Sequence, residues 1–224
     1  MSQNSEKGVA GATVLEPGVG ASYNNGWQKL KKYFLELLLI IIIAIVASIP
    51  AGWISRASGG AGAGAAFLSF IAVAYSILLS GPLEYGVSYA YLKAARGDPL
   101  KVQDMFNVFQ NYLNAVLANL LVAVIVTIGL VLLIVPGIIF ACKLAFVPYL
   151  VVDRKMDAIE AVKESWRMTS GHAWKVFLIG LLGIPIGFVG ALCFGVGIIP
   201  AIMWILLAFA SLYHAVSVPG KATV

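Results

Sequence analysis

Glu84 and Lys143 are the ionisable side chains set deepest in the apolar stretches of this 224-residue chain. A carboxylate and an ammonium held between helices could pass a proton or an ion, and ionisable groups within a membrane span are functional candidates by default. Their positions argue against a direct pair. Glu84 lies toward the inner end of its apolar run, whereas Lys143 follows closely on a Pro136-Gly137 turn at the outer end of its own. At ~1.5 Å per helical residue the two belong at different depths. Lys143 is near enough to the outer interface to snorkel there. Structural polar packing is the alternative reading for both.

Other chemistry finds little support. His172 and His214 are far apart in sequence, lie at inner helix ends and have no carboxylates at metal-ligand spacing. Cys142 and Cys193 fall inside apolar runs, where a thiol behaves as a small hydrophobe, although a disulfide in an oxidising compartment stays open. The Gly60-Ala61-Gly62-Ala63-Gly64 stretch has no Lys and follows no strand, so it is no phosphate loop. No Ser, Cys or carboxylate constellation suggests a hydrolase. We therefore expect no catalytic, cofactor or metal site.

The elements that would position these residues are dictated by composition. The chain is 61% hydrophobic and 11% charged, with a mean hydropathy of +0.94. A soluble domain carries roughly 25% charged residues. A transmembrane helix needs about 20 apolar residues, and six stretches qualify: Tyr33–Ile54, about Ala65–Ala94, about Leu113–Val135, from Pro136 to near Val152, Trp174–Phe194 and about Gly197–Val216. Gly81-Pro82 should kink the second and Pro185 the fifth. Gly183 and Gly187 have the spacing that lets helix backbones approach closely, with intramolecular packing favoured over a dimer seam. The first stretch, after a long polar lead, suits an uncleaved span better than a signal peptide. We expect residues 1–26 to be a disordered tail, 27–217 the membrane domain and 218–224 a short second tail.

Lys and Arg set the orientation. With the amino terminus inside, every lysine and arginine falls on the cytoplasmic side except Arg56, in the outer loop, and Lys143, within a span. Both termini are then cytoplasmic, in the inner membrane of a bacterium. The net charge of +5 follows from this sorting, and the basic residues flank apolar runs without forming a nucleic-acid stripe.

Two segments between spans are neither loops nor membrane helices. The first arm, about 98–112, has Asp98 as cap and Pro99 at the first helical position, with Val102, Met105, Phe106, Phe109, Tyr112 and Leu113 on one face. The second, about 157–170, opens with Asp157 and Glu160 and places Ile159, Val162 and Trp166 opposite its charges. Such helices suit the inner interface, with Phe and Trp toward lipid, or packing against the spans. Arg154, Lys155, Lys163 and Arg167 are the candidate lipid-facing cations, and Glu36 sits where it can reach headgroups. Val135-Pro136 with Tyr149 recurs as Ile199-Pro200 with Tyr213 at equal separation, so each unit is an arm followed by two spans. Trp27–Tyr33 would be a degenerate first arm, giving three units.

Gly81-Pro82-Leu83 with Gly86, Ala95-Arg96-Gly97, Phe106 with Phe109, Ile134-Val135-Pro136-Gly137-Ile138, Val152-Asp153, and Ala161 with Ser165 and Gly171 occur in that order. This pattern resembles a broad group of bacterial integral-membrane proteins related to the membrane domain that precedes some glycerophosphodiester phosphodiesterases. The resemblance covers roughly residues 27–217 and implies a six-helix module whose chemistry, in the phosphodiesterases, resides in a separate soluble domain that this chain lacks. It brings no catalytic residues with it.

The expected protein is an all-α polytopic membrane helical bundle, with six transmembrane helices in hairpin repeats and two interfacial amphipathic helices. The expected role is a non-enzymatic scaffold that meets anionic membrane lipids, with a membrane-protein partner or a homo-oligomer as further contacts and no nucleic acid. The alternative is a small carrier or channel using Glu84, Lys143 and the proline-kinked helices.

Overall fold

A computed structural model describes residues 17–57, 59, 62–192 and 197–217. The described residues form helices and no β-strand. Six helical stretches are long and apolar enough to cross a membrane: Phe34–Ala57, Ala63–Arg96, Val102–Leu132, Ile134–Asp153, Ala173–Leu192 and Ile198–Ser217. Their boundaries follow the apolar runs, and the all-α bundle is the architecture expected where lipid offers the backbone no hydrogen bonds.

Helix α1 (Val19–Lys32) precedes the first span, α2 (Phe34–Ala57). The second span is α3 (Ala63–Tyr75), a π-helical turn (Ser76–Ser80) and α4 (Gly81–Arg96). A 3-10 arm (Val102–Asn111) leads into α5 (Tyr112–Leu132). The fourth span is broken into α6 (Ile134–Leu144) and α7 (Val147–Asp153). After α8 (Ala158–Thr169) come α9 (Ala173–Leu192) and α10 (Ile198–Ser217).

Several boundaries correct the sequence reading. Helix α1 begins at Val19, inside the segment expected to be a disordered tail, and buries Ser22, Tyr23, Gly26 and Leu30. Asp98 and Pro99 do not start a helix: Gly97 ends α4 in the left-handed region (φ 89°), and the arm begins at Val102, where Asp104 Oδ2 accepts from the Lys101 N–H at 2.8 Å. The reversal between the third and fourth spans falls at Leu133, so Pro136 and Gly137 lie in the first turn of α6.

The three non-spanning helices share one rule. Each packs against the second span of the preceding hairpin: the 3-10 arm on α4, and α8 on α6 and α7. Helix α1 has no preceding hairpin and lies across α10, the second span of the last one. The expected first arm is therefore a full helix that closes the three units into a ring. Inside the ring α4, α7 and α10 meet, burying Tyr91, Phe146, Tyr149, Leu150, Met203, Leu207 and Tyr213. Tyr149 and Tyr213, the repeat's matching tyrosines, stack at 4.9 Å. The far halves of the spans expose Trp53, Phe67, Phe70, Val131, Ile184 and Phe188, as lipid-facing helices do.

A tyrosine hydroxyl replaces the bond that Pro82 removes. Pro82 has no N–H for the Leu78 carbonyl one turn back, and Tyr112 Oη donates to that carbonyl at 2.6 Å. The expected kink at Gly81-Pro82 is thus a π-turn held by a neighbouring span. Pro50 lies inside α2 and leaves the Val46 carbonyl without its helical donor, and Tyr75 Oη donates to the neighbouring Ala47 O at 2.7 Å.

Candidate functional site

The polar residues converge where the arms meet the ends of α4, α7 and α10. Arg96 ends α4 and Asp153 ends α7. The guanidinium grips the carboxylate with Nη1 on Oδ1 and Nη2 on Oδ2, both at 2.6 Å. Tyr213 Oη, from α10, donates to the same Oδ2 at 3.3 Å. One carboxylate thus joins three even-numbered spans through a bidentate, charge-assisted contact. Its chemistry is that of a clamp, because every polar atom of Asp153 is already engaged.

The arms are tied to this centre by further polar contacts. Lys93 Nζ reaches Asp104 Oδ2 at 2.9 Å, so the residue that caps the 3-10 arm also pins it to α4. Asn111 Nδ2 donates to Val151 O at 3.1 Å, and Asn114 Nδ2 donates to Asn111 Oδ1 and to Asp157 Oδ1. From α1, Asn25 Nδ2 donates to Ala95 O and Ser211 Oγ, at 3.1 and 2.9 Å. Tyr33 Oη donates to Gly97 O at 3.0 Å. Gly97 is favoured by its left-handed backbone (φ 89°), which side chains with a Cβ rarely adopt.

Around this centre runs a rim of cations. Arg154 and Arg167 share Glu164: Arg167 binds it bidentately at 2.7 and 2.8 Å, and Arg154 approaches to 3.7 Å. The Arg167 hydrogen bonds, with help from Arg154, hold the Glu164 carboxyl below its ordinary pKa. Burial lowers that of His172, in the turn before α9, and Lys175 adds to the effect. Lys31, Lys32, Lys101, Lys155 and Lys163 are exposed, and among the described residues none of them pairs with a carboxylate. Lys31 lies over Trp27 and Lys32 over Tyr33. Phe106, Phe109 and Tyr112 form an outward stack on the 3-10 arm, with ring centres 6.2 and 5.9 Å apart.

Of the four expected lipid-facing cations, Lys155 and Lys163 are thus uncompensated by acid, while Arg154 and Arg167 are held by Glu164. Both arms meet the spans with one face and turn large apolar side chains away from them. In α8 the buried residues are Ala158, Ala161, Ser165 and Thr169, and Ile159 and Trp166 face outward. In the 3-10 arm Met105 and Val108 are buried, and Phe106 and Phe109 are half exposed.

Glu84 and Lys143 are not brought together. Glu84 is exposed on α4, two residues before Gly86, where the 3-10 arm crosses. Lys143 does not snorkel outward. Helix α8 runs back along the fourth span, and Lys143 Nζ donates to Ser170 Oγ at 2.9 Å and lies 5.4 Å from the Trp166 ring. Its carbonyl, at the break between α6 and α7, accepts from Ser165 Oγ and Thr169 Oγ1. Lys143 therefore belongs to the arm end with the other described cations, and Arg56 alone among them sits at the opposite end.

Other expectations resolve locally. Gly183 packs on Ile205 within the chain, but Gly187 meets nothing, and Gly190 makes the second close approach, to Gly197 and Ala201. Nδ1 of His172 and of His214 is buried without a hydrogen-bond partner. Cys142 is a free thiol and Cys193 lies outside the described residues. No three His, Cys, Asp or Glu among the described residues are placed to hold a metal. Arg96, Asp153 and Tyr213 carry the centre of the site, a role the sequence reading did not assign. The available signal was an Asp and an Arg, of opposite charge, each closing the inner end of an apolar span.

Six apolar span-length helices with one polar, arm-wrapped end define a multi-pass α-helical membrane protein. Residues 100–222, more than half of the chain, match the model of a domain of unknown function, DUF7847, and the chain belongs to that family. The match takes in the 3-10 arm, α8 and the two hairpins that follow them. No curated protein and no solved structure matches the chain. The family's description names no activity and gives no link to the phosphodiesterase membrane domain.

Proposed function

We propose that this protein is a non-enzymatic scaffold of the cytoplasmic membrane whose arm end faces the cytoplasm and rests on anionic lipid. The observation that carries this reading is the rim itself: exposed Lys31, Lys32, Lys101, Lys155 and Lys163, without acidic partners among the described residues, alternate with outward Trp27, Phe106, Phe109 and Trp166. Cations near an anionic leaflet contribute about 1 kcal/mol each, and aromatic rings settle at the headgroup level. The carrier reading used Glu84, Lys143 and the proline-kinked helices; Lys143 is engaged by Ser170 and Trp166, and the break at Pro82 is held by Tyr112.

Two measurements test the proposal. Cysteines replacing Lys155 and Arg56 should react with impermeant reagents from opposite faces of the membrane, the first from the cytoplasmic side. Polymer-excised membrane particles of the wild-type chain should be enriched in phosphatidylglycerol over the bulk membrane. Reversing Lys101, Lys155 and Lys163 to Glu should reduce the enrichment severalfold, and unchanged lipid composition would defeat the proposal.

A further inference from the structure

A groove of about 440 Å³ runs between α6 and α9 and opens to the outside of the bundle. Its walls are apolar, with Ile138 and Cys142 on one side and Ala173, Trp174 and Phe177 on the other. That volume lies in the range of small-ligand sites. An open, span-flanked cleft of this composition suits an alkyl chain, at about 0.8 kcal/mol per methylene buried.

A cation lies next to the groove's lining. Lys143 follows Cys142 directly, and its ammonium donates to Ser170 Oγ, three positions before Ala173, while lying over Trp166. Ser170 Oγ in turn donates to Trp166 O at 2.7 Å, which fixes the hydroxyl as acceptor toward the lysine. An ammonium has three donors, so two remain for an incoming anion. Among the described residues no carboxylate neutralises Lys143, although Arg96, Lys93, Arg154 and Arg167 each have one. A cation without a carboxylate partner among the described residues, next to an apolar cleft, suits an anionic head on an alkyl chain, and in a membrane that is foremost a phosphodiester bearing fatty chains.

We propose that this groove seats a single anionic phospholipid, its phosphate on the Lys143 ammonium and one acyl chain between α6 and α9. The site rests on the membrane-embedded reading above but uses none of the exposed arm lysines, so the two can fail separately. A headgroup with its own ammonium is disfavoured beside Lys143, which sets the preference for phosphatidylglycerol over phosphatidylcholine.

Native mass spectrometry of the full chain, released from detergent with equal phosphatidylglycerol and phosphatidylcholine, tests this. The wild-type chain should retain one phosphatidylglycerol. Lys143→Gln, a change at a partly exposed position, should lower that occupancy about tenfold, and Lys143→Arg should preserve it. Ala173→Phe, which fills the groove, should remove both lipids. The Lys101, Lys155 and Lys163 reversals should leave the retained lipid in place. Equal occupancy in Lys143→Gln and wild type, or equal retention of both lipids by the wild type, would overturn the seat. Loss of the retained lipid only in the arm reversals would likewise assign it to the rim.

Discussion

At the scale of single residues, the spans are repaired where the sequence breaks them. Pro82 leaves the Leu78 carbonyl without its helical donor, and the hydroxyl of Tyr112 supplies one from the next span. A hydrogen bond of this kind contributes about 1 kcal/mol. Tyr112→Phe should lower the unfolding free energy by about that amount in a detergent-unfolding titration. In a Pro82→Ala background, where the backbone N–H returns, the same change should cost much less. Equal costs in both backgrounds would show that the hydroxyl does not serve the proline. Residue types alone announced the break at Gly81-Pro82, but not its donor, which comes from a different span. Lys143 shows the same limit. Counting residues from Pro136 placed it near the outer interface, and only the return path of α8 brings Ser170 to it.

At the scale of elements, the arms have faces opposite to those of a soluble amphipathic helix. Sequence periodicity picked out Ile159, Val162 and Trp166 as the apolar face of α8 and left open whether that face meets lipid or the spans. In the structure the packed face is Ala158, Ala161, Ser165 and Thr169, whose small side chains let α8 lie close to the fourth span, while Ile159 and Trp166 turn out. Helix α1 was illegible for a related reason: its buried Ser22, Tyr23, Gly26 and Leu30 recur at helical spacing but are mostly small or polar. The spans themselves were legible because length and hydropathy are sufficient to specify them. Close approach is tightest where the 3-10 arm crosses α4, since a Cβ on Gly86 would collide with the Met105 backbone carbonyl. Gly86→Ala should therefore destabilise the protein by about 1–3 kcal/mol, the usual range for overpacking, seen as a lower Tm in detergent. Gly20→Ala, with nothing within 4 Å of the added methyl, should be neutral or mildly stabilising by the same measurement.

At the scale of the whole molecule, one clamp holds the ring of three units. Arg96, Asp153 and Tyr213 come from the ends of three different spans, and the side chains of the ion pair are only 25% and 13% exposed. Removing one member of a buried pair costs roughly 3–5 kcal/mol, and partial exposure reduces that to about 2 kcal/mol here. Asp153→Ala should thus produce a large loss of stability, whereas an Arg96→Asp, Asp153→Arg exchange should recover part of it. If the exchange were no better than Asp153→Ala alone, the pair would be incidental to ring closure. The sorting of lysines and arginines was legible as an orientation rule. Their second use, as clamps on Asp104, Asp153 and Glu164, needed the three-dimensional meeting of helix ends.

The closure of the ring by α1 also sets a timetable for synthesis. Asn25 donates to Ser211, 186 positions later in the chain, and Tyr23 donates to Ile179, 156 positions later. At translation rates of roughly 5–20 residues per second, the first helix leaves the ribosome some ~10–40 s before its partner exists. Throughout that interval only its smaller contacts are available to α1, such as those of Asn25 with Ala95 O and Tyr33 with Gly97 O, 70 and 64 positions on. Docking on α10, the main partner of α1, can only follow synthesis of the last span.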